Sequence, residues 1–326
     1  MKDSYGREIN YLRLSLTDRC NLRCVYCMPM HGLTFVPNQE LLTAAELEKV
    51  GRAAVDAGFH KIRLTGGEPT LRQDIVEIVR RLAGIDGVDQ LVMTTNGYRL
   101  PYIAEDLAQA GLKRVNIHVD SLDEETISKI MRLGTFEKAW AGIKAAEKAG
   151  LKPIKLNAVI TRGHNDNSAV ELVRLTLDFP WQIRFIELMP FSGPTDIQLQ
   201  HYVSSDEVKG WIESELGPLF PVNNGHLDGE AKVYRLAGAA GSVGFISPVS
   251  NPYCDDCNRM RVTADGRLRM CLLSDKEINF RQTLRNGGSH QQLVDLFKQA
   301  IWAKPVGHQL RHGIHPEARM MSQIGG

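Results

Sequence analysis

The residues best suited to chemistry in this 326-residue chain are six cysteines, which fall into two triplets. Cys20, Cys24 and Cys27 are spaced C-x3-C-x2-C and follow the strand-like run from Tyr11 to Leu16. Soft thiolates suit iron–sulfur clusters and zinc. A [4Fe–4S] cluster is ordinarily held by four cysteines, so three leave one iron open to another ligand. Zinc sites more often show paired C-x2-C spacing with a fourth ligand. The second triplet, Cys254, Cys257 and Cys271, begins with that zinc-like half-site, but no further cysteine or nearby histidine completes it. Three thiolates around an open iron again fit better. A disulfide framework belongs mainly to short secreted chains.

Other chemistry-bearing residues stand at the ends of strand-like runs. Gly66-Gly67-Glu68-Pro69 follows Lys61–Thr65, and its glycines permit close backbone approach. Thr94-Thr95-Asn96-Gly97 ends the next run and reads as an Asx-type turn. His118, near the end of a further run, reads more readily as a structural histidine than as a ligand. Lys155 and Arg184 lie on two later strands, where alternation leaves open whether they point inward or to solvent. Arg259 and Arg261 flank Met260; on a strand they share one face. Two guanidinium forks together suit phosphate oxygens.

An alternation of strands and helices must position these groups. Leu42-Thr43-Ala44-Ala45-Glu46-Leu47 announces a helix with a Thr43–Glu46 capping box, ended by Gly58. Helical spacing continues over about 73–84, 101–110, 135–149 and 168–178. Strand-like runs cover Gln90–Thr94, Arg114–Val119, Lys155–Ile160 and Gln182–Glu187. With the first two runs these make six strands, separated by helices long enough for parallel crossovers. The expected fold is therefore α/β: a partial (β/α)6 TIM-like barrel, two units short of closure, with its active residues at the strand ends. Near Pro218 the alternation stops and Pro221-Val222-Asn223-Asn224-Gly225 is turn-rich. Residues 1–217 are read as the barrel and 218–326 as an extension packed on it, with a helix around 290–302.

Composition narrows the function classes. Apolar residues make up 43% of the chain and charged residues 24%, with a formal net charge of +1, so nucleic acid is not an expected partner. The N-terminus is polar, no signal-peptide core follows it, and no apolar run approaches the roughly 18 residues of a membrane span. A cytoplasmic protein is expected, with no membrane partner.

Together the motifs resemble one family. C-x3-C-x2-C with an aromatic, Tyr26, before the third cysteine is similar to the radical S-adenosylmethionine (radical SAM) signature. In that signature the open iron chelates the methionine part of SAM, and G-G-E-P holds its amino group. Over nearly its whole length the chain resembles the GTP 3′,8-cyclases of molybdenum-cofactor biosynthesis. The matching residues are Leu14-Ser15-Leu16-Thr17-Asp18-Arg19-Cys20, G-G-E-P, T-T-N-G, Arg184-Phe185-Ile186-Glu187, C-x2-C-x13-C and the terminal Gly325-Gly326.

The resemblance implies a barrel of the radical SAM type, a C-terminal iron–sulfur extension and two [4Fe–4S] clusters. Cys20, Cys24 and Cys27 would hold the first cluster, and Cys254, Cys257 and Cys271 the second. SAM cleavage at the first would give a 5′-deoxyadenosyl radical that takes hydrogen from the ribose C3′ of GTP. The carbon radical then attacks guanine C8, giving 3′,8-cyclo-7,8-dihydroguanosine triphosphate, while the second cluster holds the base. The implied SAM contacts are Tyr26, Gly67, Glu68, His118 and Met189. The implied GTP contacts are Arg13, Arg63, Thr94, Lys155, Arg259, Met260 and Arg261. His118 stands where many relatives carry serine.

Implied partners are a reductant protein and the downstream cyclic pyranopterin monophosphate synthase; a homodimer is also allowed. The Gly325-Gly326 tail, which composition alone reads as a disordered end, is implied to reach the catalytic cavity. Two other classes compete. A radical SAM peptide maturase normally carries more cysteines in its C-terminal region. A non-catalytic zinc protein leaves G-G-E-P and the basic residues without a use.

Overall fold

A computed structural model describes residues 1–191, 199–222, 224 and 226–325; Asn223, Gly225 and Gly326 lie outside these. Six β/α units follow in chain order. The strands are β1 (Tyr11–Ser15), β2 (Lys61–Thr65), β3 (Gln90–Thr95), β4 (Arg114–His118), β5 (Lys155–Val159) and β6 (Gln182–Ile186). The intervening helices are α1 (Ala44–Asp56), α2 (Ile75–Ala83), α3 (Leu100–Gln109), α4 (Glu124–Ile130), α5 (Phe136–Lys148) and α6 (Ser168–Asp178), and α7 (Ser205–Leu216) follows β6. The Thr43–Glu46 capping box forms as expected and opens α1.

Two of these helices were not expected from the sequence. Helix α4 is short and buries only Ile127 and Ile130, too few apolar positions to show a period. Helix α7 starts at Ser204, whose side chain accepts from the Glu207 amide. That cap was the available signal.

The later region contributes strands to the barrel's own sheet. It supplies β7 (Leu219–Pro221), β8 (Leu227–Asp228), β9 (Ala231–Leu236), β10 (Ser242–Ile246), β11 (Arg259–Val262), β12 (Arg267–Arg269) and β13 (Glu277–Asn279), then α8 (Phe280–Arg285) and α9 (His290–Trp302). Strand β11 pairs parallel with β1, and β10 pairs parallel with β6. The sheet order is β13-β12-β11-β1-β2-β3-β4-β5-β6-β10-β9-β7, with antiparallel strands beyond each parallel edge. The outermost strands β13 and β7 are not paired with each other, so the barrel stays open.

Alternation along the strands divides the molecule. Leu12, Leu14, Ile62, Leu64, Val115, Ile117, Ile183 and Phe185 form the main core with helix residues such as Leu47, Val50, Ile78 and Leu82. Each such aliphatic side chain contributes about 1.5–3 kcal/mol on full burial. The other face carries Arg13, Arg63, Asn116, Asn157 and Arg184, all toward the barrel interior. An interior of buried arginines is costly unless it is compensated. A binding site is one form of compensation.

Candidate functional site

A cavity inside the barrel is lined by all six cysteines and encloses about 1870 Å³ free of protein atoms, its open mouth included. The first triplet stands on the loop after β1, at the C-terminal ends of the strands. Gly67 explains how that loop is held. Its amide donates to Thr17 O at 2.7 Å, and the Glu68 amide donates to Arg19 O at 2.7 Å. A Cβ on Gly67 would stand 2.4 Å from the Arg19 carbonyl oxygen, so only glycine allows the approach. The Glu68 carboxylate accepts from Thr70 N (3.0 Å), Thr70 Oγ1 (2.6 Å), Thr95 Oγ1 (2.7 Å) and Asn96 N (2.7 Å). Asn96 Nδ2 donates to Asn21 Oδ1 at 2.8 Å, and Asn96 Oδ1 accepts from Tyr98 N, the expected Asx turn. G-G-E-P and T-T-N-G therefore brace the cysteine loop.

The second triplet approaches from the other end of the strands. Cys257 precedes β11, and Cys271 follows β12. The Arg261↔Arg269 register of this antiparallel pair brings Cys271 beside the start of β11. The N-terminal arm clamps this region: Arg7, paired with Asp3 at 2.7 Å, donates to Cys254 O at 2.8 Å and to Val306 O at 2.7 Å.

Burial, with the Glu68 charge nearby, pushes the Cys20 thiol up to about 11; burial and Cys20 push Cys27 up to about 12. A metal centre reverses that preference by binding the thiolate. No three His, Cys, Asp or Glu side chains among the described residues are arranged to hold one metal ion. In a [4Fe–4S] cubane each thiolate binds its own iron, so the three sulfurs need not converge on one point. The donor set fits two such clusters.

Buried Asp120 gathers the half-buried Tyr26 and His118 beside the first triplet. Tyr26 donates to Asp120 Oδ2 at 2.7 Å and contacts His118 Nε2, which lies 2.8 Å from the same carboxylate oxygen. Asp120 Oδ1 accepts from Val159 N at 2.8 Å. Burial, and then Asp120, push the Tyr26 hydroxyl well above its ordinary range. His118 and Met189 both line the cavity. Asp120 had only its place at a strand end to mark it.

Between the triplets lie Arg13, Arg63, Arg184, Arg259 and Arg261. Parallel register aligns Arg13 with Arg63 on one side and Arg261 on the other. Arg63 donates to Thr94 Oγ1 at 3.0 Å. With its amide oxygen turned toward them, Asn116 accepts from Arg184 at 3.0 Å and Arg63 at 3.2 Å. Glu230, just before β9, lies 3.3 Å from Arg184 and 3.7 Å from both Arg13 and Arg259. Burial works against the Glu230 carboxylate, but Arg259, Arg184 and Arg13 outweigh it and hold the group well below its usual range. No motif pointed to Glu230.

Every expected site residue except Lys155 reaches the cavity wall, Met260 among them. Lys155 is buried below it, and Nζ contacts Asp228 at 2.5 Å. The tail reaches the cavity, where Met321 and Ser322 line the wall. Ile324 is 1% exposed, Gly325 is buried, and the Ser322 amide faces the Cys27 sulfur.

Comparisons with known proteins agree with this arrangement. Residues 14–176 match a model described as the radical SAM superfamily, and residues 181–310 match one described as Molybdenum Cofactor Synthesis C. A GTP 3′,8-cyclase of Pelotomaculum thermopropionicum is 48% identical over 326 residues, covering 100% of both chains. One of Moorella thermoacetica is 46% identical at the same coverage. Among solved structures, Streptococcus suis SuiB matches with a TM-score of 0.65 at 16% identity, covering 89% of this chain and 65% of SuiB. This chain thus spans just under two thirds of SuiB, and the likeness shows the fold alone.

Proposed function

From a chain that belongs to the GTP 3′,8-cyclase family, we infer a radical SAM enzyme that converts GTP to 3′,8-cyclo-7,8-dihydroguanosine 5′-triphosphate, the first step of molybdenum-cofactor biosynthesis. Its cofactors are two [4Fe–4S] clusters and SAM. The observation that carries this reading is a cavity with a thiol triplet at each end and five arginines between, three buried and two mostly so.

Cys20, Cys24 and Cys27 hold the first cluster in this proposal, and Cys254, Cys257 and Cys271 the second. When bound, the first cluster supplies the electron that splits SAM into methionine and the 5′-deoxyadenosyl radical. The chain's own residues orient and enclose. Gly67 and Glu68 present the strand-end backbone to the methionine part of SAM. Tyr26 and His118, fixed by Asp120, face its nucleoside, and Met189 closes the wall. Arg13, Arg63, Arg259 and Arg261 receive the triphosphate, with Thr94 holding Arg63 in place. Among the described residues Glu230 is the carboxylate that forms ion pairs with these guanidiniums, and a triphosphate adds the negative charge they are suited to receive. Met260 lines the path between the arginines. Lys155 contributes its charge from below through the Asp228 pair. Residues 1–217 then serve as the barrel, and 218–326 as the part that completes it with the second cluster and the tail.

A reductant protein, hand-over to cyclic pyranopterin monophosphate synthase, a homodimer and a cytoplasmic location belong to the same proposal. Among the described residues no helix is long and apolar enough to cross a membrane. A peptide substrate brings no phosphate charge to these guanidiniums. Anaerobic iron and sulfide counting tests the cofactor reading. Two clusters per chain are expected, and stoichiometric zinc without sulfide would overturn it.

A further inference from the structure

Lys304, two residues beyond α9, is 3% exposed and lines the cavity at the second triplet. Its Nζ donates to Arg259 O at 2.8 Å and Met270 O at 2.6 Å. Arg259 lies two residues after Cys257, and Met270 immediately precedes Cys271, so the ammonium sits between the strands that carry both thiols. Arg7 fixes this position by donating to Pro305 O at 2.7 Å, Val306 O at 2.7 Å and Cys254 O at 2.8 Å.

Two of the three N–H donors of the ammonium are thereby used. Both of these partners are neutral carbonyls, and among the described residues no carboxylate forms an ion pair with the ammonium. A buried ammonium without an adjacent anion is costly. The anion-forming group facing it is Cys257, whose side chain it meets as a hydrogen-bond partner and with which it lines the cavity.

We propose that Lys304 is the counter-ion of the second cluster, giving its third N–H to the Cys257 sulfur and raising the cluster's reduction potential. The proposal rests on the reading that Cys254, Cys257 and Cys271 hold a cluster. Potentials of such centres respond to net charge and to hydrogen bonds on sulfur. A neighbouring cation stabilises the reduced, more negative form.

The test uses full-length protein carrying Cys20→Ala, Cys24→Ala and Cys27→Ala, so that only the second cluster assembles. Iron and sulfide are counted, and the potential is titrated by electron paramagnetic resonance, with and without Lys304→Met or Lys304→Arg. Lys304→Met is expected to lower the reduced-to-oxidised ratio at fixed potential at least tenfold, about 59 mV for a one-electron couple. Lys304→Arg is expected to keep most of the potential. Loss of iron in Lys304→Met but not in Lys304→Arg also supports the counter-ion. A loaded Lys304→Met cluster with unchanged potential overturns the lysine's role. No iron in the parent overturns the cluster reading itself. If Lys304→Met does not fold, ζ-15N-lysine labelling of the parent decides: a nitrogen hyperfine coupling to the cluster, abolished by Lys304→Arg, is expected, and its absence overturns the proposal.

Discussion

The Arg261 guanidinium donates to the carbonyl of Gly325, tying a sheet arginine to the last described residue of the chain. Gly325 has φ +74°, and a Cβ there would stand 2.4 Å from Thr65 Oγ1. Glycine is required on both counts. Just before the tail turns inward, Arg319 grips Asp265 through two hydrogen bonds of 3.1 and 2.9 Å. The chain end is thus anchored, bent and held between the first thiol triplet and the arginines.

Deleting Gly325 and Gly326 removes the carbonyl that occupies Arg261 but leaves both thiol triplets and the Glu68 brace. We expect both clusters and SAM cleavage to persist, with cyclised product falling strongly. Parallel measurement of 5′-deoxyadenosine and cyclic product in truncated and full-length protein checks this. Unchanged yields of both would leave the tail without a role.

Arg261→Ala tests the anion site. Losing a buried charge-assisted contact typically costs about 2–5 kcal/mol, which corresponds to roughly thirty-fold to several-thousand-fold in affinity. Calorimetric titration of GTP at fixed salt should show a loss in that range. An unaltered affinity would assign Arg261 to the tail alone.

Much of this site was legible in the sequence because its parts are local. C-x3-C-x2-C, G-G-E-P and T-T-N-G each lie within one loop, and the structure brings all three together at the strand ends. The rest depends on partners far apart in the chain. Glu230 meets Arg13 and Arg259 only through the β11-β1 and β10-β9 pairings, and Lys304 meets Arg259 only through the packing of the region after α9. Strand alternation left Lys155 and Arg184 undecided; both proved buried, yet only Arg184 reaches the cavity. Strands β10 and β11 were missed as barrel members because no crossover pattern announces an edge strand supplied from a distant segment.

Gly67→Ala should act on the first cluster and spare the second. The added methyl meets backbone carbonyls of Asp18 and Arg19, which cannot move without displacing Cys20. Iron per chain is expected to fall to about half, with SAM cleavage lost. Full iron loading and normal SAM cleavage would show that the loop tolerates the methyl.

The pH dependence of GTP binding should report Lys155. Burial and the Arg184 charge push its ammonium down to about 8. Folded and unfolded chains are both protonated there below pH 8. Between about 8 and the unfolded value of about 10.4 the unfolded chain binds more protons, so stability from this group rises with pH. Over the same rise the surroundings of Arg184 lose a positive charge. GTP affinity is therefore expected to fall between pH 7 and 9 in the native chain and to fall less in Lys155→Met. Equal slopes in the two proteins would place the titrating group elsewhere.

The most direct test is anaerobic incubation of the reconstituted chain with SAM, a reductant and GTP deuterated at C3′. Deuterium in 5′-deoxyadenosine, together with 3′,8-cyclo-7,8-dihydroguanosine triphosphate, is the predicted result, and Cys24→Ala should abolish both. Cleavage of SAM without deuterium transfer or cyclic product would contradict the account.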